Sequence, residues 1–293
     1  MKKEPNNFRN NIRHWLLSNP KHNPFVLFQL GFGRALTSPF RVLPDFIIIG
    51  AEKCGTTSLY DYLIKHPSII SSKTKEVHYF DTNYLGRWWY KAHFPTIFQK
   101  LFKKKVITGE ATPYYLFHPL TPNRIHEDLP NVKLIIIIRD PTERAFSQYQ
   151  ENLRKNKEEL SFEDAIKCEN DRLKGEKEKI IKNPKYQSIS YWTYSYLSKG
   201  IYVEQFKIWF DLFPKNQILI LFTSELQTDP QQTLHKVFSF LGLQNHEIKV
   251  DEKKNVGKYD PMNSETRKFL QEYFSPYNKK LEELINKKLP WGY

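Results

Sequence analysis

A segment bounded by two glycines, Gly50 to Ser58, has the residue types that bind a phosphate group. It reads Gly-Ala-Glu-Lys-Cys-Gly-Thr-Thr-Ser and follows a short β-branched run. The glycines allow a ligand to approach the backbone closely, and successive backbone N–H groups at the start of a helix attract anions. The segment from Pro44 to Tyr62 therefore predicts an anion site made of a strand, a turn and a helix, which we call the cradle.

The cradle differs from the ATP-binding P-loop, Gly-x-x-x-x-Gly-Lys-Ser/Thr, at an informative position. Gly50 and Gly55 have the P-loop spacing, but Thr56 stands where that loop has its lysine, and the lysine lies inside the turn as Lys53. A kinase would lose a main phosphate contact by this change. A transferring sulfuryl group carries less charge than a phosphoryl group, so one lysine and backbone amides can stabilise its leaving phosphate without a metal.

A carboxylate and an imidazole follow the cradle. Glu76 and His78 lie two residues apart, and they share a face if the segment is extended. If the fold brings Glu76 beside the anion site, its carboxylate would repel the ligand, which favours a role in proton transfer; a helix-capping or salt-bridged glutamate is the alternative. His78 is open to several roles: orienting the carboxylate, binding an acceptor, acting as the base, or satisfying a purely structural need.

The elements that must position these residues alternate along the chain. Short apolar runs predict buried strands, and the segments between them predict helices. The predicted strands are Phe46–Ile49, Lys105–Thr108, Lys133–Ile138 and Gln217–Phe222, and the predicted helices are Ser58–Lys65, Glu143–Arg154 and Pro230–Leu241. This alternation is typical of an α/β fold with a central, mostly parallel sheet flanked by helices. Ligands of such sheets bind at the carboxyl ends of strands.

Composition limits the partners. Lys and Arg outnumber Asp and Glu by 45 to 32, a net charge of +13, which favours a nucleotide, an acidic glycan or a nucleic acid. The cations are scattered through mixed Lys/Glu segments and no nucleic-acid motif appears, so a nucleic-acid-binding module is the weaker alternative. The two cysteines, Cys54 and Cys168, have no metal-ligand spacing.

Size and hydropathy set the expected organisation. The chain of 293 residues is long enough for one sizeable core, and we expect residues 1–40 to form an N-terminal arm and residues 41–293 a single domain. No apolar run reaches the roughly 18 residues that a membrane-spanning helix needs. We therefore expect a cytoplasmic protein with no membrane span. From the charge distribution and the residues of the cradle, we also expect no nucleic-acid partner and no required metal.

Four motifs in order resemble the sulfotransferases that use 3′-phosphoadenosine 5′-phosphosulfate (PAPS). They are EKCGTTSL in the cradle, KEVHYFD at Lys75–Asp81, EATPYY at Glu110–Tyr115 and IIIIRDPTERAFSQY at Ile135–Tyr149. The similarity is greatest to the heparan sulfate branch and its bacterial relatives, and a weaker match continues to about residue 243. The resemblance implies a P-loop-like sulfotransferase fold and transfer of a sulfuryl group from PAPS to a hydroxyl or amine.

The resemblance also implies roles for single residues. Lys53 matches the lysine that binds the 5′-phosphosulfate and stabilises charge on the leaving group. Glu76 matches the catalytic base, and His78 matches an active-site histidine. The rest of the donor cradle comprises Cys54, Gly55, Thr56, Thr57 and Ser58.

The donor's 3′-phosphate has its own matches. Arg139 and Ser147 match the residues that hold this group, which distinguishes PAPS and its product, adenosine 3′,5′-bisphosphate, from ordinary adenylates. An arginine fork suits phosphate oxygens, and Ser147 lies about two helical turns further on. Gly257 and Lys258 loosely match the loop that closes over the nucleotide, although a solvated run of charge explains them nearly as well.

The acceptor end is less defined. Ala111 replaces a lysine that part of the heparan branch uses to engage acidic sugar, which counts against a heparan-like substrate. An aromatic cluster offers stacking faces for a sugar or simple core packing, and we expect at least half of it to be core. Its members are Tyr191, Trp192, Tyr194 and Tyr196. A carbohydrate or other glycan acceptor is the prediction, and a P-loop phosphotransferase using ATP is the alternative enzyme.

Overall fold

The computed structural model describes residues 32–102, 106–250 and 260–292. Within these residues, five parallel strands form one sheet in the order β2-β3-β1-β4-β5. The strands are β1 (Phe46–Gly50), β2 (Ile69–Ser71), β3 (Ile107–Ala111), β4 (Lys133–Ile138) and β5 (Ile218–Phe222). The predicted α/β fold with a central parallel sheet is confirmed.

Helices connect the strands and cover the sheet. In chain order they are α1 (Phe32–Leu36), α2 (Thr56–Leu63), α3 (Arg87–Lys91), α4 (Ile97–Leu101), α5 (Thr121–Asp128), α6 (Pro141–Arg154), α7 (Phe162–Lys167), α8 (Glu169–Leu173), α9 (Glu176–Lys182), α10 (Ile189–Tyr194), α11 (Tyr202–Leu212), α12 (Thr223–Thr228), α13 (Pro230–Leu241) and α14 (Ser264–Ile285). Short 3-10 helices lie at Ser38–Phe40, Pro113–Leu116, Ser198–Gly200 and Lys215–Gln217.

The two central strands form the heart of the core. All side chains from Phe46 to Ile49 in β1 and from Leu134 to Ile138 in β4 are fully buried. A parallel sheet is covered on both faces, so its inner strands are continuous apolar runs without polar alternation. This is why both strands are evident in the sequence.

The carboxyl ends of β1, β3 and β4 meet at one edge of the sheet. β1 is followed by the turn of the cradle, β3 by Thr112, and β4 by Arg139. Gly50 ends β1 where the backbone passes Leu116, since a Cβ atom added there would lie 2.4 Å from the Leu116 Cβ. Residues far apart in the chain are thereby gathered at this edge.

Two strand predictions need correction. β3 runs from Ile107 to Ala111, whereas the sequence predicted Lys105–Thr108. The apolar signal ends at Ile107, but the strand continues through Gly109 and Glu110 because tertiary contacts satisfy the buried carboxylate. The three-residue β2 was not predicted at all.

The helix of the cradle begins earlier than predicted. α2 spans Thr56–Leu63, whereas Ser58–Lys65 was expected. Gly55 immediately precedes the helix with φ of 92°, a left-handed conformation that glycine adopts without steric cost. The threonines of the cradle are therefore the first residues of the helix.

Residues 32–40 pack against the domain. The Arg34 side chain donates hydrogen bonds to the carbonyls of Ala92 and Phe94, at 2.8 and 3.1 Å. The proposed division at residue 40 and the cytoplasmic location stay predictions. In the described part of the chain, we find no helix with the length and apolar character needed to cross a membrane.

Candidate active site

The cradle is fixed to the sheet by hydrogen bonds from both sides. The Ala51 N–H donates to the Ile137 carbonyl of β4 at 2.8 Å. The Thr223 hydroxyl, just after β5, contacts the carbonyls of Cys54 and Ile138 at 2.6 and 3.1 Å. The turn is thus tied to two neighbouring strands, and its backbone is held in place before any ligand binds.

Cys54 contributes its backbone to the cradle. Its side chain is fully buried, and its Sγ lies 3.6 Å from the Tyr202 hydroxyl. Burial raises the pKa of the thiol, and the nearby hydroxyl of Tyr202 only partly opposes this. The thiol is therefore a neutral core group, and the part of Cys54 available to a ligand is its main chain.

Lys53 lies at the tip of the cradle, with φ of 67°. Its Nζ atom is 2.5 Å from Oε2 of Glu151 on α6. Burial disfavours the ionised form of Glu151, but hydrogen bonds from Lys155 and Lys53 outweigh it and lower the pKa to about 2. The lysine predicted to bind the donor thus has a carboxylate as its present partner.

One face of α6 points towards the cradle. Glu143, Ser147 and Glu151 are spaced four residues apart, so they form a single stripe on the helix. Glu143 at one end lies 3.6 Å from the Arg139 guanidinium, and Glu151 at the other end pairs with Lys53. Arg139 also donates to the Lys53 carbonyl at 3.3 Å. The structure therefore brings together Lys53 and Arg139, and the helical spacing puts Ser147 on the face between Glu143 and Glu151.

Glu76 and His78 form an acid–base cluster with Asp81. His78 Nδ1 lies 2.7 Å from Oδ2 of Asp81, and its Nε2 lies 3.4 Å from Oε2 of Glu76. Burial by itself would lower the pKa of His78, but the charge of Asp81 and the hydrogen bonds to both carboxylates raise it to about 10. His78 is thus protonated at neutral pH.

The segment that carries this cluster is not extended. His78 has φ of 52°, so the alternation that predicted a shared face for Glu76 and His78 does not apply. The two side chains nevertheless meet, because the backbone turns at His78. Asp81, three residues further on, was not predicted, although a carboxylate at that distance from a histidine is a usable signal.

Lys75 connects the cluster to the cradle. Its Nζ donates to the Thr57 hydroxyl at 2.5 Å and to Oε1 of Glu76 at 3.1 Å. Burial opposes the ionised form of Glu76, but His78 and Lys75 outweigh it and lower the pKa of the carboxyl group. The sequence placed Lys75 beside Glu76, but its contact with Thr57 depends on how the two segments fold together.

The aromatic cluster divides as expected between core and site. Tyr191 and Tyr196 are buried, whereas Trp192 and Tyr194 are half-buried. The Trp192 ring stacks on Tyr114 with centroids 4.8 Å apart, and it lies 5.1 Å from the His78 ring. Trp192 is thus the member of the cluster that borders the acid–base group.

A buried ion pair holds Trp192 next to the cradle. Lys199 Nζ lies 2.5 Å from Oε2 of Glu52 and donates to the Trp192 carbonyl at 2.6 Å.

Gly257 and Lys258, predicted to close over the nucleotide, lie outside the described residues.

Comparison with known proteins identifies the family. The sulfotransferase domain family matches residues 43–287. The chain belongs to the sulfotransferase family. The family predicted from the four motifs is confirmed, and it favours a sulfotransferase over the phosphotransferase and nucleic-acid-binding alternatives.

Relatives span more than one kingdom of life. The chain is 32% identical to the membrane-associated sulfotransferase kil1 of Dictyostelium discoideum, over 85% of this chain and 66% of that protein. It is 30% identical to the human bifunctional heparan sulfate N-deacetylase/N-sulfotransferase 3, over 84% of this chain and 30% of that protein. This chain thus spans less than two thirds of the length of either relative.

A solved structure has the same fold. A sulfotransferase from Alicyclobacillus acidocaldarius superposes with a TM-score of 0.64 and 29% identity, covering 85% of this chain and 98% of that one. The P-loop-like sulfotransferase fold expected from the sequence is confirmed.

Proposed function

We propose that this sulfotransferase moves a sulfuryl group from PAPS to a hydroxyl or amine of a carbohydrate. The observation that carries the proposal is the contact of Lys75 with both Thr57 of the cradle and Glu76. This contact supports a proton-accepting carboxylate beside the proposed phosphosulfate site. An acceptor bound between Glu76 and the donor's phosphosulfate would contact both the base and the sulfur that it attacks.

In the proposed reaction, the Glu76 carboxylate takes the proton of the acceptor as the acceptor atom attacks sulfur. The bond between sulfur and the 5′-phosphate oxygen breaks, and adenosine 3′,5′-bisphosphate leaves. Lys53 and the backbone amides of the cradle stabilise the charge that develops on the departing phosphate. All the catalytic groups in these proposed steps belong to the protein, so the proposal requires no metal ion.

The choice of base follows from protonation. His78, with its pKa raised to about 10, already carries a proton at neutral pH and cannot accept another. Glu76 has a lowered pKa and is ionised. We therefore assign the base to Glu76, and His78 holds it in place as a cation.

Arg139 and Ser147 are the proposed 3′-phosphate site. The guanidinium of Arg139 contacts the cradle carbonyl of Lys53, and Ser147 lies between the two glutamates of the α6 stripe. Both lie at the same end of the sheet as Lys53, as a nucleotide with phosphates on the 3′ and 5′ carbons of one ribose requires. Gly257 and Lys258 stay candidates for closing over this group.

A carbohydrate acceptor is supported by Trp192 and by the kinship with a heparan sulfate enzyme. A half-buried indole beside the base offers an apolar face for a sugar ring. Ala111 is fully buried at the end of β3, so it supplies no cation for an acidic sugar. We therefore propose a glycan acceptor without assigning it to heparan sulfate.

The test is donor selectivity followed by transfer. We expect calorimetry to show that adenosine 3′,5′-bisphosphate binds at least about tenfold more tightly than 5′-AMP, since charged hydrogen bonds to the 3′-phosphate contribute roughly 1.5–3 kcal/mol. Incubation with sulfur-labelled PAPS and a panel of polysaccharides should label at least one of them, and Lys53→Ala should abolish labelling. Equal affinity for the two nucleotides would contradict the proposed donor site.

A further inference from the structure

The segment Val77–Phe80 has an unusual set of hydrogen-bond partners. It carries His78 and directly follows Glu76, yet it belongs to no helix or strand. Buried backbone N–H groups need acceptors. Here all four successive amides donate to side-chain oxygens that come from the end of β3 and the 3-10 helix after it.

Thr112 serves the first two amides. Its Oγ1 atom accepts from the Val77 N–H at 3.1 Å and from the His78 N–H at 3.5 Å. Thr112 itself is fully buried. The Val77 N–H also donates to Oε2 of Glu110 at 3.4 Å, so the first amide contacts both the hydroxyl and the carboxylate.

Tyr115 serves the next two amides in the same way. Its hydroxyl oxygen accepts from the Tyr79 N–H at 2.8 Å and from the Phe80 N–H at 3.4 Å. Tyr115 is also fully buried. Two hydroxyl oxygens thus accept from all four amides of the segment.

Both hydroxyls point their protons at Glu110. The Glu110 carboxylate accepts from Thr112 at 2.6 Å and from Tyr115 at 3.4 Å, and it also accepts from the Tyr90 hydroxyl at 2.6 Å. A hydroxyl has one proton and two lone pairs, whereas an ionised carboxylate only accepts. With their protons committed to Glu110, Thr112 and Tyr115 present lone pairs to the segment.

We propose that Glu110 is a positioning residue, which acts through Thr112 and Tyr115 to hold the backbone that presents Glu76 and His78 to the reacting atoms. This inference rests on the proposed function for the identity of the base. It assigns a task to the EATPYY motif. The carboxylate fixes the direction of two hydroxyls, and the hydroxyls fix four amides.

The experiment removes one hydroxyl acceptor without changing side-chain shape. Thr112→Val deletes Oγ1, Thr112→Ser restores it, and Thr108→Val is the matched control. Thr108 lies on β3, is fully buried, and donates its hydroxyl to the Ile70 carbonyl at 2.6 Å without contacting the segment. Burial raises the pKa of Glu110 to about 7 against its hydrogen bonds from Thr112 and Tyr90, so kinetics are measured near pH 8, where the carboxylate is ionised.

We expect Thr112→Val to lower kcat by between about tenfold and hundredfold, because small misplacements of catalytic groups have effects of that size. Its affinity for adenosine 3′,5′-bisphosphate should stay within about twofold of the wild type, since the cradle is untouched. Thr112→Ser should recover most of kcat, and Thr108→Val should keep it. NMR titration of the His78 ring is the second readout, and the ring should lose its proton at lower pH in Thr112→Val alone.

The outcomes separate this inference from the proposed function. A wild-type enzyme that neither binds the nucleotide nor transfers sulfuryl contradicts the proposed function, and the His78 titration still tests positioning. The positioning role is overturned if Thr112→Val keeps both kcat and the His78 titration. It is also overturned if Thr108→Val loses as much kcat as Thr112→Val, or if Thr112→Ser is no better than Thr112→Val.

Discussion

The acid–base cluster places one imidazole between two carboxylates. His78 contacts Asp81 through one ring nitrogen and Glu76 through the other. A proton shared among three such groups stays on the imidazole, because both carboxylates stabilise its charge. The cluster therefore leaves Glu76 as the group with a free acceptor site for the substrate proton.

Glu76→Gln tests this assignment at the level of a single residue. The amide keeps the shape of the side chain but cannot take a proton, so kcat should fall by about 10²–10⁴-fold. The calorimetric affinity for adenosine 3′,5′-bisphosphate should change by less than about threefold, because the carboxylate is proposed to contact the acceptor and not the nucleotide. Glu76→Asp is the conservative control, and it should retain more activity than Glu76→Gln. If Glu76→Gln keeps more than a tenth of kcat, the base is another group.

The family resemblance predicted Lys53, Glu76 and Arg139 as site residues from their motifs, and their roles stay predictions. Glu151 was not predicted, although its contact with Lys53 is among the shortest in the site. The two residues are 98 positions apart in the chain. Only the packing of α6 against the cradle brings them together, and no local pattern encodes that distance.

At the scale of elements, α6 carries Ser147, which is proposed to contact the 3′-phosphate. The same helix carries the two carboxylates that lie near the cations of the site. Glu151 holds Lys53, and Glu143 lies near Arg139. Anionic phosphates that bind these cations compete with the glutamates for them. We therefore expect the helix to influence the affinity for the donor as well as its position.

Glu151→Gln should tighten nucleotide binding. The substitution removes a negative charge that faces the donor and frees Lys53 from its ion pair, so the calorimetric Kd for adenosine 3′,5′-bisphosphate should fall by roughly threefold to tenfold. The estimate reflects the roughly 1 kcal/mol attributed to a partly exposed ion pair. The gain should shrink at high salt, since screening weakens the repulsion.

The matched control for that change is Glu283→Gln. Glu283 is an exposed residue of α14, next to the Leu284 carbonyl that Lys215 contacts just before β5. It therefore lies near the opposite edge of the sheet, yet its loss changes the net charge by the same amount. Equal tightening in both variants would show that bulk charge, and not release of Lys53, governs the affinity.

The element β3 shows why part of the fold escaped prediction. Its last residues, Gly109, Glu110 and Ala111, have no apolar periodicity. They form a buried strand because the hydroxyls of Tyr90, Thr112 and Tyr115 donate to the Glu110 carboxylate. Sequence patterns report a residue's own preference, whereas here the partners decide.

At the scale of the whole molecule, the parallel sheet was predictable because its central strands are buried on both faces. β4 was predicted with its correct bounds, as was α13, since both have strong patterns and clear turn residues at their ends. The strand order was beyond the sequence, and it is the order that gathers the ends of β1, β3 and β4. The proximity of the site residues therefore depends on the strand order, which no single sequence motif specifies.

The stability of the whole molecule should depend on pH through His78. Its pKa is about 10 in the folded protein and near 6.5 when unfolded, so between these values the folded state binds more protons. The free energy of unfolding is therefore supported fully below pH 6.5 and should fall as the pH rises towards 10, by at most about 1.4 kcal/mol for each pH unit. Urea unfolding followed at several pH values measures this slope.

The variant His78→Asn isolates that contribution. It should be less stable than the wild type near pH 6.5, because Asp81 is then buried without its cation, but its stability should fall less steeply as the pH rises. Thr108→Val, which removes no titrating group, should keep the wild-type slope at a lower overall stability. A slope in His78→Asn as steep as that of the wild type would mean that the imidazole is not held protonated, and the assignment of the base to Glu76 would lose its physical basis.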